Sequence, residues 1–200
     1  MAAKPSGVPV IPGRSAAAGP CLRALVEAAR GPVFVVHRLD ADASGAVVFA
    51  KDEASHRDLC LQFERRQTGK TYLAAVQGVV AEDGSMDRPI REYGSGRMGV
   101  SSGGKPSLTR WHVLERFSAA SLLEVAPATG RRHQIRVHLY AAGHPILGDR
   151  LYGRDRPVGG APRLMLHGLE ISFRSADGSR KRVRCDPPVE FARVLASLRG

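Results

Sequence analysis

His37-Arg38-Leu39-Asp40-Ala41-Asp42-Ala43-Ser44-Gly45 lies between two apolar runs, Val33-Phe34-Val35-Val36 and Gly45-Ala46-Val47-Val48-Phe49-Ala50. Both runs are short and rich in β-branched or aromatic side chains, the pattern of buried strands. A polar segment at such a junction is either a plain turn or a loop that a rigid scaffold presents for chemistry. Two carboxylates, Asp40 and Asp42, stand here beside His37 and Arg38. Composition alone favours the plain turn.

Working outward, residues 1–20 are rich in Pro, Gly and Ala and read as extended loop. Leu22 to Arg30 reads as a short helix stopped by Gly31-Pro32. A second helix is predicted over roughly 53–66, with Leu59 and Phe63 four apart on its inner face. Thr71 to Val80 reads as a strand and residues 82–104 as a long polar connection. Leu108 to Leu114 alternates, with Thr109, Trp111 and Val113 on one face and Arg110 and His112 on the other. Leu122 to Ala126 is a further strand. The spacing predicts a helix from Thr129, near its N-cap, to Gly143, with Ile135, Leu139 and Ala142 inward and Arg132 and Arg136 neighbours on one face. Strands follow over 163–169 and 183–185, then a C-terminal helix over 189–198. Strands with few intervening helices imply an α+β domain on a mixed, mostly antiparallel sheet.

The chain has 200 residues, enough for one ordinary domain with a real core. Lysine and arginine outnumber the acids 30 to 19, a net charge of +11, which favours a polyanionic partner. Cys21, Cys60 and Cys185 are far apart and odd in number, so neither a disulfide framework nor a thiolate metal site is expected. No apolar run approaches the roughly 20 residues that span a bilayer, and Met1-Ala2-Ala3-Lys4-Pro5 lacks a signal-peptide core. A cytoplasmic protein without a membrane partner is the expectation.

A second segment stands out: Thr129-Gly130-Arg131-Arg132-His133-Gln134-Ile135-Arg136-Val137-His138-Leu139. Alone it reads as a basic amphipathic helix with a solvated face, although the pairing of Arg132 and Arg136 on one face equally suits anion binding. Together with the loop at Asp40 it resembles the HRLD-x-x-T-S-G and TGR-[TS]-HQ-[IL]-RVH signatures of RluA-type pseudouridine synthases. The likeness continues in order along the chain, through Lys4-Pro5-Ser6-Gly7, Lys70-Thr71-Tyr72-Leu73-Ala74, Gly143-His144-Pro145-Ile146-Leu147-Gly148-Asp149, Leu151-Tyr152-Gly153 and Pro162-Arg163-Leu164-Met165-Leu166-His167.

The resemblance implies the pseudouridine synthase fold, with flanking helices and a central RNA-binding cleft, over a single domain at 1–200 without a separate N-terminal RNA-binding domain. It implies isomerisation of uridines in ribosomal or transfer RNA. That reaction breaks the N1–C1′ bond, turns the base and rejoins it through C5, so no cofactor or metal is required. By carry-over Asp40 is the nucleophile, by attack on C1′ or by assisting a glycal route. Arg136 is the cation that keeps it ionised, and Tyr72 packs against the target base and serves in proton transfer. Arg38 fills the space of the flipped base, Ile135 walls the pocket, and His37 and Arg131 touch RNA. A monomer is expected. His133 and His138, five apart, do not make a metal site.

Two departures are visible. Ala43 stands where the family has threonine, and Arg132 where it has a small hydroxyl residue. Two other classes of protein compete: an inactive RNA chaperone that keeps the fold, and a generic basic nucleic-acid binder whose affinity is indifferent to Asp40.

Overall fold

The computed structural model describes residues 1–12, 19–153 and 161–200. In chain order the elements are β1 (Ala2–Lys4), α1 (Leu22–Arg30), β2 (Phe34–Val35), β3 (Ser44–Val47), β4 (Phe49–Ala50) and α2 (Glu53–Glu64). There follow β5 (Gly69–Gln77), β6 (Gly84–Asp87), β7 (Ile90–Glu92), β8 (Met98–Val100), β9 (Leu108–Arg116) and β10 (Ala120–Pro127). Last come α3 (Gln134–Ala141), β11 (Leu166–Arg174), β12 (Arg180–Arg184) and α4 (Val189–Arg199). They make an α+β fold drawn as two compact units, Met1–Lys70 with Gly168–Pro187, and Thr71–His167 with Pro188–Gly200.

In the first unit β1 pairs antiparallel with β3, β3 neighbours β11, and β12 pairs antiparallel with β11. The register sets Lys4 opposite Gly45. Gly45 has φ 135, and a Cβ there would collide with the backbone of Gly168, so only glycine lets these strands approach. Asp52 starts α2 by accepting from the Ser55 amide at 2.8 Å. The helix lays Leu59 and Phe63 on a core of Ala46, Val48, Ala50 and Ile171, joined by Phe34, Val36 and Phe173. Leu59 and Ile171, the large side chains fully buried there, each contribute about 1.5–3 kcal/mol. The second unit is a β5-β10-β9-β6 run of antiparallel strands, with the β7–β8 hairpin beside it. Thr109 and Val113 of β9 face inward and Arg110 and His112 outward, as the alternation requires.

Several expectations are corrected. The Gly45–Ala50 run is broken at Val48, because its amide donates to His37 Nε2 at 2.9 Å instead of to a neighbouring strand. α2 ends at Glu64 rather than 66, since Arg66 has turned left-handed (φ 58). The polar connection over 82–104 carries β6, β7 and β8, three- and four-residue strands too short to show a period in sequence. α3 begins at Gln134, with His133, not Thr129, at its N-cap in the left-handed conformation (φ 54). The loop reading of residues 1–20 misses β1, and part of it, 13–18, lies outside the described residues.

Candidate active site

The segment from Asp40 to Ala43 is a tight turn closed by the Ala43 amide donating to the Asp40 carbonyl at 3.2 Å. The N-terminal segment straps it down. The Ala41 carbonyl accepts from the Gly7 amide at 2.9 Å and from Lys4 Nζ at 2.7 Å. Lys4 Nζ also donates to the carbonyls of Val8 (2.6 Å) and Pro5 (2.9 Å), and Ser6 Oγ donates to the Asp42 carbonyl at 2.5 Å. Lys4 is only 2% exposed. An ammonium is tolerated at such depth because carbonyl oxygens surround it. The strap therefore grips the turn by its backbone carbonyls. Ala43 is buried, and the strap does the holding that a hydroxyl at this position could have shared.

Lys4→Met tests this directly, because it keeps the chain length and removes the charge and the bonds donated to the Pro5, Val8 and Ala41 carbonyls. Unmet buried carbonyls cost about 1–3 kcal/mol each. We expect a measurable loss of stability in urea denaturation; an unchanged midpoint would show that the Lys4 side chain does not hold the turn.

His37 and Arg38 precede the turn and part ways. Arg38 is exposed. His37 turns inward, stacked on Phe63 (5.0 Å between centroids, 18°), with Nε2 accepting from Val48. Burial, and then the nearby charge of Lys70, lower its pKa from 6.5 to about 4, so the ring is neutral at pH 7 and suited to accept that bond. Burial likewise lowers the pKa of Lys70.

In the second unit, Tyr72 of β5 is half-buried opposite Val125 of β10. Ile135 and Arg136 lie in the first turn of α3, where residues 134–139 are all buried. A network built on Gln134 holds that helix end. Its amide nitrogen donates to the Leu108 carbonyl and Thr109 Oγ1, both at 3.0 Å, while its oxygen accepts from the Arg131 amide (3.0 Å) and Thr129 Oγ1 (2.6 Å). His138 bonds Thr109 Oγ1 and the Arg88 carbonyl, each at 2.9 Å, so it is a structural residue. The Arg131 guanidinium reaches the Pro106 carbonyl at 3.4 Å. Arg132, expected beside Arg136 on one helix face, precedes the helix and pairs with Glu92 on the surface.

Arg136 is held by Asp149 through two parallel bonds, Nε to Oδ2 and Nη2 to Oδ1, both 2.8 Å. Their side chains are 5% and 0% exposed. Asp149 Oδ1 also accepts from the amides of Leu151 (2.9 Å) and Tyr152 (3.0 Å). Burial pushes this carboxyl up, but the Arg136 bonds and charge and the two amides outweigh it and hold it below the usual carboxylate range. Gly148 makes the turn possible: φ is 70, and a Cβ would run into the Arg163 carbonyl. Under the guanidinium lies Tyr152, 5.1 Å from ring centroid to Cζ, with its hydroxyl accepting from the Met98 amide and bonded to His133 Nδ1 at 3.0 Å. Roles for Lys4, Gln134, Asp149 and Tyr152 escape sequence reading, although all four stand inside the quoted motifs. Among the described residues, no three His, Cys, Asp or Glu side chains converge as a metal would need, and no helix is long and apolar enough to cross a membrane.

The mostly antiparallel α+β fold narrows the class, and comparison with known proteins gives the family. The model of the RNA pseudouridylate synthase family matches residues 1–141, and the chain belongs to that family, in its RluA type. The ribosomal large subunit pseudouridine synthase D of Nitrosomonas europaea is 37% identical over 98% of this chain, which spans 62% of that protein's length. The dual-specificity RNA pseudouridine synthase RluA of Vibrio cholerae is 38% identical over 85% of this chain and 71% of its own. Among solved structures, human RNA pseudouridylate synthase domain containing 4 superposes with a TM-score of 0.81 at 26% identity, covering 98% of this chain and 88% of that one.

Proposed function

We propose that this chain isomerises uridine to pseudouridine in ribosomal or transfer RNA, with Asp40 as the nucleophile. The observation that carries the reading is the strapped turn, which positions a short acidic side chain by gripping the backbone around it. Nucleophilic attack at a sugar carbon needs such a carboxylate, held within a few tenths of an ångström by its surroundings. Arg136 is the cation of the reaction and Tyr72 the residue that packs against the base and moves the C5 proton. Ile135 is an apolar wall of the base pocket. The exposed Arg38, two residues before the nucleophile, takes the space the flipped base leaves, whereas His37, expected to touch RNA, has its ring stacked on Phe63 and Nε2 on the Val48 amide and supports the loop from inside. Arg131 and the +11 surplus of charge serve phosphate binding. The relative named for the ribosomal large subunit supports ribosomal RNA as a substrate, and the relative named for dual specificity supports more than one target.

The chemistry defines the test. Forming the C5–C1′ bond expels the C5 proton, while N1 gains one, so the substrate and product have the same composition. RNA transcribed with tritium at uracil C5 is the substrate, offered as unmodified ribosomal RNA and as a transfer RNA pool. Release of tritium to water, with pseudouridine recovered in the digest, is expected from one or both. Binding of both RNAs without release would leave an RNA-binding protein.

A further inference from the structure

We infer that the β7–β8 hairpin and the outer face of α3 form a stacking surface for unpaired RNA next to the target uridine; the placement beside the target rests on the function proposed above. Tyr93, at the hairpin turn, is 46% exposed, and Tyr140 of α3 is 41% exposed, so both present ring surface to solvent. Each has an exposed guanidinium near its ring: Arg91 Cζ lies 5.9 Å from the Tyr93 centroid and Arg97 Cζ 5.9 Å from that of Tyr140. The Tyr93 ring lies across Gly99, where any Cβ would meet it at 2.8 Å. A glycine in the facing strand therefore gives the ring its seat. Arg132 pairs with Glu92, while Arg91 and Arg97 lie at the two rings.

Aromatic faces paired with guanidinium groups are what single-stranded RNA requires. Every base offers a π-face to a tyrosine, and its phosphates attract the arginines. A duplex offers no free base face, so it would use the arginines alone. Position links this surface to the reaction. Arg97 also lies 5.2 Å from the centroid of Tyr152, the ring that lies 5.1 Å from Arg136 Cζ, and the Tyr140 and Tyr152 centroids are 6.1 Å apart. Nucleotides resting on Tyr93 and Tyr140 would therefore be those beside the uridine under isomerisation.

Three fluorescent or competing probes separate stacking from charge: a twelve-nucleotide oligouridylate, the same strand paired with oligoadenylate, and inorganic polyphosphate. Tyr93→Leu and Tyr140→Leu keep apolar bulk and remove the π-face. Each is expected to weaken oligouridylate binding at least about fivefold while leaving the duplex and polyphosphate unchanged. Tyr93→Phe and Tyr140→Phe are expected to bind as wild type, which controls for folding. Arg97→Gln is expected to weaken all three probes. Equal losses of the leucine variants on all probes, or no loss on oligouridylate, would overturn the stacking surface. These readouts need no turnover: if tritium release fails while the binding pattern holds, the function is wrong and the surface stands.

Discussion

Asp40→Ala is expected to lower tritium release by at least about a thousandfold while RNA affinity stays within about twofold of wild type. The turn is closed by the Ala43 amide on the Asp40 carbonyl, and it is strapped through the carbonyls of Ala41 and Asp42, with Lys4, Ser6 and Gly7 as the partners. Removing the Asp40 side chain leaves all of them in place, so the loop should keep its form and Arg38 its position. Affinity comes mostly from phosphate contacts spread over a strongly basic protein, and losing one negative charge would if anything raise it slightly. Asp42 is the internal control. It is exposed, in the same turn, and separated from Asp40 by one residue. Asp42→Ala should retain turnover within a few-fold of wild type. Turnover surviving in the Asp40 variant would remove it as nucleophile, and if Asp42→Ala were the inactive one the roles would be exchanged. A fall in affinity as large as the fall in rate would favour a binding role for Asp40 over a chemical one.

What was legible in the sequence follows the length of the signal. Leu22–Arg30 has a clear stop at Gly31-Pro32, and both it and Val189–Arg199 are helices within a residue of the expected bounds. β9 and β10 run for nine and eight residues, and alternation or apolar content marks both. β7 and β8 have three residues each and owe their pairing to one another, so no local pattern announces them. The start of α3 is hidden for another reason. Thr129 is a good capping residue, but its hydroxyl is occupied by Gln134 and by the Leu108 amide, and the chain enters the helix through a left-handed His133. A tertiary network overrode a local preference. The site shows the same division. The motif residues themselves are readable, whereas the lysine under the turn and the aspartate behind Arg136 acquire their roles only from contacts distant in the chain, such as Lys4 with Ala41.

Asp149→Asn is expected to cost about 3 kcal/mol, or roughly 6–12 °C in Tm for a chain of this size, and adding Arg136→Met to that variant should recover most of it. Two charges removed from water are seldom a net source of stability. What is costly is removing one of them and leaving the other in place. The amide oxygen of the new side chain can still accept from the Leu151 and Tyr152 amides, so the turn survives. Its NH2 group, however, would face a guanidinium that is only 5% exposed and has lost its bidentate acceptor. Replacing the arginine by methionine removes that conflict, so stability should return. Turnover should not. If Asp149 exists to aim Arg136, the single variant should lose kcat more than KM, and the stable double variant should be inactive. A double variant as unstable as the sum of its singles would show that the two side chains are not energetically coupled. A stable double variant that still isomerised uridine would take Arg136 out of the chemistry and leave this buried pair a purely structural clamp on α3.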